Sequence, residues 1–328
     1  MTINRQVKRG ATYATAARCS ERRKFLQPCL AVNGFYLYGT GYAAQRFEIE
    51  LHAFTQMGNH HHQNQTDPNA RLPEYYQWLH CLLARGLNGW MGRFGAFWDA
   101  TRSYNACLLG VQGDVEPVEY GADSLAKMVY CAANPVRAGL VKRVSEWPGI
   151  SSAHYKFGET IVAKRPGFFF RKNGKMPDEV RFELSIPPGF RDLTPQQFDR
   201  LFKDEIRKEE DRIHRERRAA GKYGWLGRSG VLKQSHYAAP KTPAPRWRLN
   251  PHVAAKDPAR RIAMLVALLT FRQGYRAALF EFREAMEDPE RDPRDVVFPY
   301  GTYQRRVYDK VRCRGPDPAG PSPVSEAA

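Results

Sequence analysis

Apolar and polar residues alternate over 47–53, which predicts a half-buried β-strand. We expect this strand to run on through Met57 toward three consecutive histidines at 60–62. Farther along, apolar residues recur at helical spacing over 73–87, and Pro73 suits the first turn of a helix, where its missing N–H is not needed. The pattern therefore mixes strands and helices, as in an α+β domain.

A shorter helix is predicted over 124–134, with its apolar residues on one side and Asp123 as its N-cap. We expect Asn134 to end this helix, because Pro135 disfavours the α conformation of the residue that precedes it.

The composition changes near the middle of the chain. Of the first 165 residues 31 are charged, against 54 of the remaining 163. We therefore expect a compact domain over 1–160, a basic and largely helical C-terminal extension over 166–313, and a Pro-rich disordered tail over 314–328. Within the extension, a helix over 198–222 carries mixed charges, and one over 260–286 is apolar enough to pack against the rest of the protein.

The overall composition excludes several classes of protein. The chain has 328 residues, 42% hydrophobic and 12% aromatic, which is enough for a packed core. Its longest apolar run, 262–269, is far shorter than the roughly 20 residues of a membrane span. The N-terminus lacks the apolar segment of a secretion signal, and six cysteines without a CxxC pair fit reduced thiols in the cytoplasm.

Charge gives the first positive indication of function. The chain has 51 Lys and Arg against 34 Asp and Glu, a formal net charge of +17. Such a balance favours a polyanionic partner, since each Lys or Arg that meets a phosphate releases a condensed counterion. Nucleic acid is the expected partner, although solvated surface charge alone would give the same composition.

The sharpest local feature is the run Asn59-His60-His61-His62. On an extended strand, His60 and His62 project from one face and His61 from the other. Two imidazoles on one face are either a structural pair or ligands of a catalytic cation that keeps positions open for phosphate oxygens. The residues that follow, 63–65, are polar, so we expect that part of the strand to be less firmly buried.

A second candidate is the pair Tyr130 and Asn134, which are four residues apart on the predicted helix and therefore share a face. A tyrosine hydroxyl becomes an effective nucleophile beside a metal-polarised phosphate, and an amide oxygen one turn away can complete a set of metal ligands. Equally, Tyr130 can be a core aromatic and Asn134 a residue that ends a helix.

Several motifs occur in a familiar order in the first half of the chain. They are Met57-Gly58-Asn59-His60-His61-His62, Leu72-Pro73-Glu74, Phe97-Trp98, Tyr130-Cys131-Ala132-Ala133-Asn134-Pro135-Val136-Arg137-Ala138-Gly139-Leu140-Val141 and Trp147-Pro148-Gly149-Ile150-Ser151-Ser152. Over about residues 8–155, the chain resembles the single-tyrosine transposases of the HUH endonuclease class, particularly the REP-associated type of bacterial chromosomes.

The resemblance implies a ferredoxin-like α/β (α+β) sandwich, with an antiparallel sheet and helices on one face, in a protein that is often a homodimer. It also implies cleavage of single-stranded DNA near a hairpin with Mg²⁺ or Mn²⁺, which gives a 5′-phosphotyrosine adduct and a free 3′-OH. The family's paired histidines match His60 and His62, its nucleophile matches Tyr130, and its third metal ligand falls on Asn134.

Two functional hypotheses follow, both for a bacterial protein of the cytoplasm and nucleoid. One is a metal-dependent transposase or nickase, and the other is a domesticated descendant that binds hairpin nucleic acid without cutting it. In the first, an exposed Trp98 is expected to stack a base, and nearby basic residues are expected to hold phosphates. Those basic residues are Lys127, Arg137, Lys142 and Arg143.

Overall fold

The computed structural model describes residues 5–99, 104–111, 117–171, 173–240, 251–303 and 312–313. The first half contains β1 (Ala11–Arg18), α1 (Leu30–Phe47), β2 (Glu50–Gln56), β3 (His60–Asp67), α2 (Leu72–Trp90), β4 (Asn105–Val111) and α3 (Pro117–Arg137). The second half contains β5 (Ile161–Lys164), β6 (Glu179–Phe182), α4 (Pro195–Ala219), α5 (Gly227–Leu232), α6 (Pro258–Glu287), β7 (Val297–Phe298) and β8 (Arg312–Cys313).

Strands β1 to β4 form one sheet in the order β2-β3-β1-β4, and every neighbouring pair is antiparallel. Helix α1 connects β1 to β2 with β3 lying between them, and α2 connects β3 to β4 with β1 between them. Two such split βαβ units make the ferredoxin-like arrangement. The predicted α+β class is confirmed.

Helices cover both faces of this sheet, not one face as expected. Helices α1 and α2 pack together on the first face, where His61 of β3 meets Tyr36 of α1 and His80 of α2. Helix α3 lies on the second face and contacts all four strands, and there Asn64 of β3 meets Ser124 of α3. The sheet is therefore the middle layer of three.

The polar residues of β3 are fully buried, so the expectation that they would be less firmly buried is wrong. The carboxamide oxygen of Gln63 accepts hydrogen bonds from the hydroxyls of Tyr75 and Tyr76, each at 2.9 Å. The Gln65 amide donates to the Tyr76 hydroxyl at 2.9 Å, and Asp67 accepts two backbone N–H groups at the start of α2. Buried polar groups are stable when they are hydrogen-bonded, as these are.

The predicted strand over 47–53 is displaced in the structure, where β2 begins at Glu50. Phe47 is buried as the last residue of α1, and Glu48 ends that helix in the left-handed conformation, with φ 56°. The histidines consequently lie on the next strand, after a turn over 57–59.

Helix α3 starts earlier and ends later than predicted, so Asp123 and Asn134 lie inside it. The carboxylate of Asp123 pairs with Arg260 instead of capping the helix. The helix continues past Pro135 because Val136 in its last turn is fully buried, and such packing can exceed the cost of the one hydrogen bond that proline removes.

The predicted helices over 73–87, 198–222 and 260–286 are confirmed as α2, α4 and α6. Helix α4 packs on α3, and the β5–β6 hairpin packs on α1. The buried apolar face of α4 belongs to the same hydrophobic core as the sheet and consists of Phe198, Phe202, Ile206 and Ile213. The tail over 314–328 lies outside the described residues, and no helix within the described part is long and apolar enough to cross a membrane.

Candidate active site

Strand β3 and helix α3 bring the four candidate residues together. His60 and His62 project from the face of β3 that α3 covers, and their ring centroids are 4.8 Å apart. The ring of Tyr130 lies 5.8 Å from that of His62, and the Asn134 amide donates to His62 Nε2 at 3.1 Å. The expected two-residue alternation of the histidines is therefore observed.

His61 belongs to the core behind this site. Its Nε2 lies 2.9 Å from Nε2 of His80, and its Nδ1 lies 3.3 Å from the Tyr36 hydroxyl. Burial lowers the pKa of His80 to about 3 and that of His61 well below its ordinary value of 6.5. At neutral pH one imidazole of this pair therefore donates its proton to a lone pair of the other.

His60 and His62 are also neutral at pH 7. Burial, followed by the neighbouring charge of His62, lowers the pKa of His60 well below 6.5, and burial with the charge of Arg18 lowers the pKa of His62 to about 4. The Nδ1 of His60 donates to the side-chain oxygen of Asn59 at 2.6 Å, which leaves the lone pair on its Nε2. His62 donates to the Thr15 backbone and keeps its Nε2 lone pair toward Asn134. A hydrogen bond that fixes the tautomer in this way is common for metal-binding imidazoles.

The donor set here is two imidazoles and an amide. Among the residues that the structure describes, no three or more His, Cys, Asp and Glu side chains are grouped as a metal site. Asn134 turns its NH₂ group toward His62, and rotating that amide by half a turn would present its oxygen at the same place. Two neutral imidazoles and one carbonyl oxygen fit a divalent cation with further positions open.

Tyr130 is 41% exposed, so its hydroxyl group is accessible to a substrate. Lys127, Tyr130, Asn134 and Arg137 are spaced three and four residues apart and so follow one face of α3. The Arg137 Cζ lies 5.3 Å and the Lys127 Nζ 5.9 Å from the centroid of the Tyr130 ring. This positive charge would stabilise both a phosphate and a developing phenolate beside Tyr130.

Carboxylates of α4 hold two of the expected phosphate-binding residues. Arg137 pairs with Glu209, and Arg143 pairs with Glu210 at 2.8 Å. Glu210 is buried and also accepts the backbone N–H of Val144 at 2.7 Å. The sequence gave no sign of these pairs, because their members are 72 and 67 residues apart.

The other two expected DNA contacts differ in position. Lys142 is exposed in the segment that follows α3. Trp98 is only partly exposed, its indole N–H donates to the His80 carbonyl at 2.9 Å, and its ring packs 5.5 Å from that of His61. It therefore lies on the α2 side of the sheet, away from Tyr130, and the expectation of an exposed aromatic at the site is wrong. A bridge to Cys19 draws this part of the chain inward.

Two residues of the site were missed from the sequence. Asn59 orients His60, and its position directly before the histidines was the available signal. Glu209 holds Arg137 from a distant helix, and nothing in the local sequence indicates it.

No family model matches the chain, and no curated protein matches it. Among solved structures, it is similar to one described as the "REP associates tyrosine transposase bound to a REP hairpin". The two chains are 17% identical with a TM-score of 0.37, and the match covers 47% of this chain and 83% of the other.

Proposed function

We propose that this protein is a metal-dependent transposase or nickase that cuts and rejoins single-stranded DNA beside a hairpin, with Tyr130 as the nucleophile. The observation that carries the proposal is the meeting of an exposed tyrosine, two neutral histidines and an amide from two elements about 70 residues apart in sequence. The sequence resemblance to single-tyrosine transposases and the net charge of +17 support the same function.

Mg²⁺ or Mn²⁺ would be held by Nε2 of His60, Nε2 of His62 and the side-chain oxygen of Asn134. When bound, the cation supplies polarisation of the scissile phosphate. Asn59 contributes by keeping the His60 proton on Nδ1, so that Nε2 can act as a ligand.

In the proposed reaction, the phenol oxygen of Tyr130 forms a bond to the phosphorus as the bond from phosphorus to the departing 3′ oxygen breaks. The phenol proton passes to solvent, and the products are a 5′-phosphotyrosine and a 3′-OH. Lys127 and Arg137 offset the negative charge that develops beside the ring. Attack of a 3′-OH on the adduct reverses the step and rejoins a strand.

Binding of the DNA backbone is assigned to the basic rim of this site. Lys127 and Arg137 flank Tyr130 on α3, and Lys142 and Arg143 follow the end of that helix. The ion pairs with α4 fix the guanidinium groups of Arg137 and Arg143, so a phosphate would meet charges that are already positioned.

The first test is capture of a covalent adduct on a DNA hairpin with a single-stranded flank, labelled on the side that stays with the protein. We expect an SDS-resistant complex in the presence of Mn²⁺ that is lost in Tyr130→Phe, while hairpin binding is retained. The matched control is Tyr223→Phe, which changes a more exposed tyrosine outside the site. An adduct that persists in Tyr130→Phe assigns the nucleophile to another residue and refutes the proposal.

The second test concerns the donor set. His60→Ala and His62→Ala are each expected to abolish Mn²⁺-dependent cleavage and to weaken Mn²⁺ binding measured by calorimetry. The alternative function, a hairpin-binding protein that does not cut, is favoured by the lack of a carboxylate among the three donors. That alternative predicts tight hairpin binding by the unaltered protein without any adduct or any bound Mn²⁺.

A further inference from the structure

Helix α6 has a large apolar surface that faces away from the protein. The helix is buried on the side of Phe271, Ala278 and Ala285. On its other side five large apolar side chains are 41–65% exposed. They define the outer stripe of α6, which consists of Ile262, Leu265, Val266, Leu269 and Phe280.

The outer stripe is straight and long. Ile262 and Phe280 are eighteen residues apart, which is five turns of an α-helix, so they lie on the same line along the axis. Gln273 and Ala277 lie between Leu269 and Phe280 on the same side, and both are exposed. A contiguous apolar stripe of about 27 Å on a surface helix is typical of an interaction surface.

The charges of α6 indicate what covers this stripe. The half of the helix over 258–272 contains three arginines and no acidic residue, whereas the half over 273–287 contains three glutamates and two arginines. A second copy of α6 running in the opposite direction would place each basic half against an acidic half. A parallel copy would place like halves together, and a phosphate backbone would meet the apolar stripe.

We propose that the outer stripe of α6 is the contact surface for a second copy of this chain, with the two helices antiparallel and crossing near position 271. In that register Ile262 faces Phe280 of the other copy, and Leu269 faces Gln273. Arg261, which is exposed, then faces the 55% exposed Glu281. This proposal concerns assembly and does not depend on the proposed DNA cleavage.

The full chain can be tested by analytical ultracentrifugation over roughly 1 to 200 µM, a range that detects dissociation constants from about −8 to −5 kcal/mol of binding free energy. We expect a monomer–dimer equilibrium. Leu269→Lys brings two like charges to the crossing point and is expected to weaken the dimer at least tenfold. Because Leu269 is 55% exposed, the monomer should keep its circular dichroism spectrum.

A charge reversal tests the register. Arg261→Glu and Glu281→Arg are each expected to weaken the dimer, and the double variant, in which the pair is restored with opposite polarity, is expected to recover it. Arg207→Glu makes the same charge change on an exposed residue of α4 and should have no effect. A wild-type protein that stays monomeric, an unaffected Leu269→Lys dimer, or a double variant weaker than both single ones would overturn the proposal.

Discussion

Acid sensitivity of the fold can be worked out from one buried histidine. His52 lies on β2 with no exposed surface, where its Nδ1 donates to the Ser185 carbonyl and its Nε2 accepts from the Thr66 hydroxyl, both at 2.8 Å. Burial lowers the pKa of His52 from 6.5 to about 4, although the hydrogen bond to Ser185 opposes the shift. The neutral ring is therefore the form that the folded protein accommodates.

The sign of the effect follows from proton binding. Between pH 6.5 and 4 the unfolded chain binds a proton at His52 that the folded protein does not bind, so the free energy of unfolding decreases as the pH falls through this range. From pH 7 to pH 5, this one group should lower the free energy of unfolding by about 2 kcal/mol. Below about pH 4 the folded protein also takes up the proton, and the loss levels off.

The measurement is urea unfolding of the wild-type protein and of His52→Gln at pH 7 and pH 5. Glutamine does not titrate and keeps an amide donor for Ser185. The other buried histidines titrate equally in both proteins, so the wild type should lose about 2 kcal/mol more than the variant between the two pH values. Equal losses would mean that His52 has the same proton affinity in the folded and unfolded states, and the reasoning would fail.

Two further predictions concern buried polar groups. Gln63→Leu removes an acceptor shared by the Tyr75 and Tyr76 hydroxyls and should lower the free energy of unfolding by about 1 to 3 kcal/mol in urea, whereas an unchanged value would mean that water replaces the amide. Glu210→Ala leaves the Val144 N–H without its acceptor and should cost a similar amount, about 1 to 3 kcal/mol, while Glu210→Gln keeps an acceptor oxygen and should cost less; equal losses would argue against the hydrogen bond to Val144.

The face on which each histidine lies could be predicted from the sequence, because alternation along a strand depends only on an extended backbone. The burial of 63–65 could not, since these polar residues tolerate the core only through the hydroxyls of Tyr75 and Tyr76, which a different element supplies. The passage of α3 through Pro135 likewise depends on tertiary packing of its last turn, which outweighs the local preference for ending the helix.

The same reasoning explains why the extension belongs to any account of the site. Its helix α4 was expected to present a solvated face, and several of its charges are indeed exposed, but its opposite face is part of the core beneath α3. From there Glu209 reaches Arg137, which in turn lies over the ring of Tyr130. The surroundings of Tyr130 are thus set by residues on both sides of the predicted boundary at 160–166. A site assembled across that boundary is visible in three dimensions, whereas motifs in the first half of the chain contain only part of it.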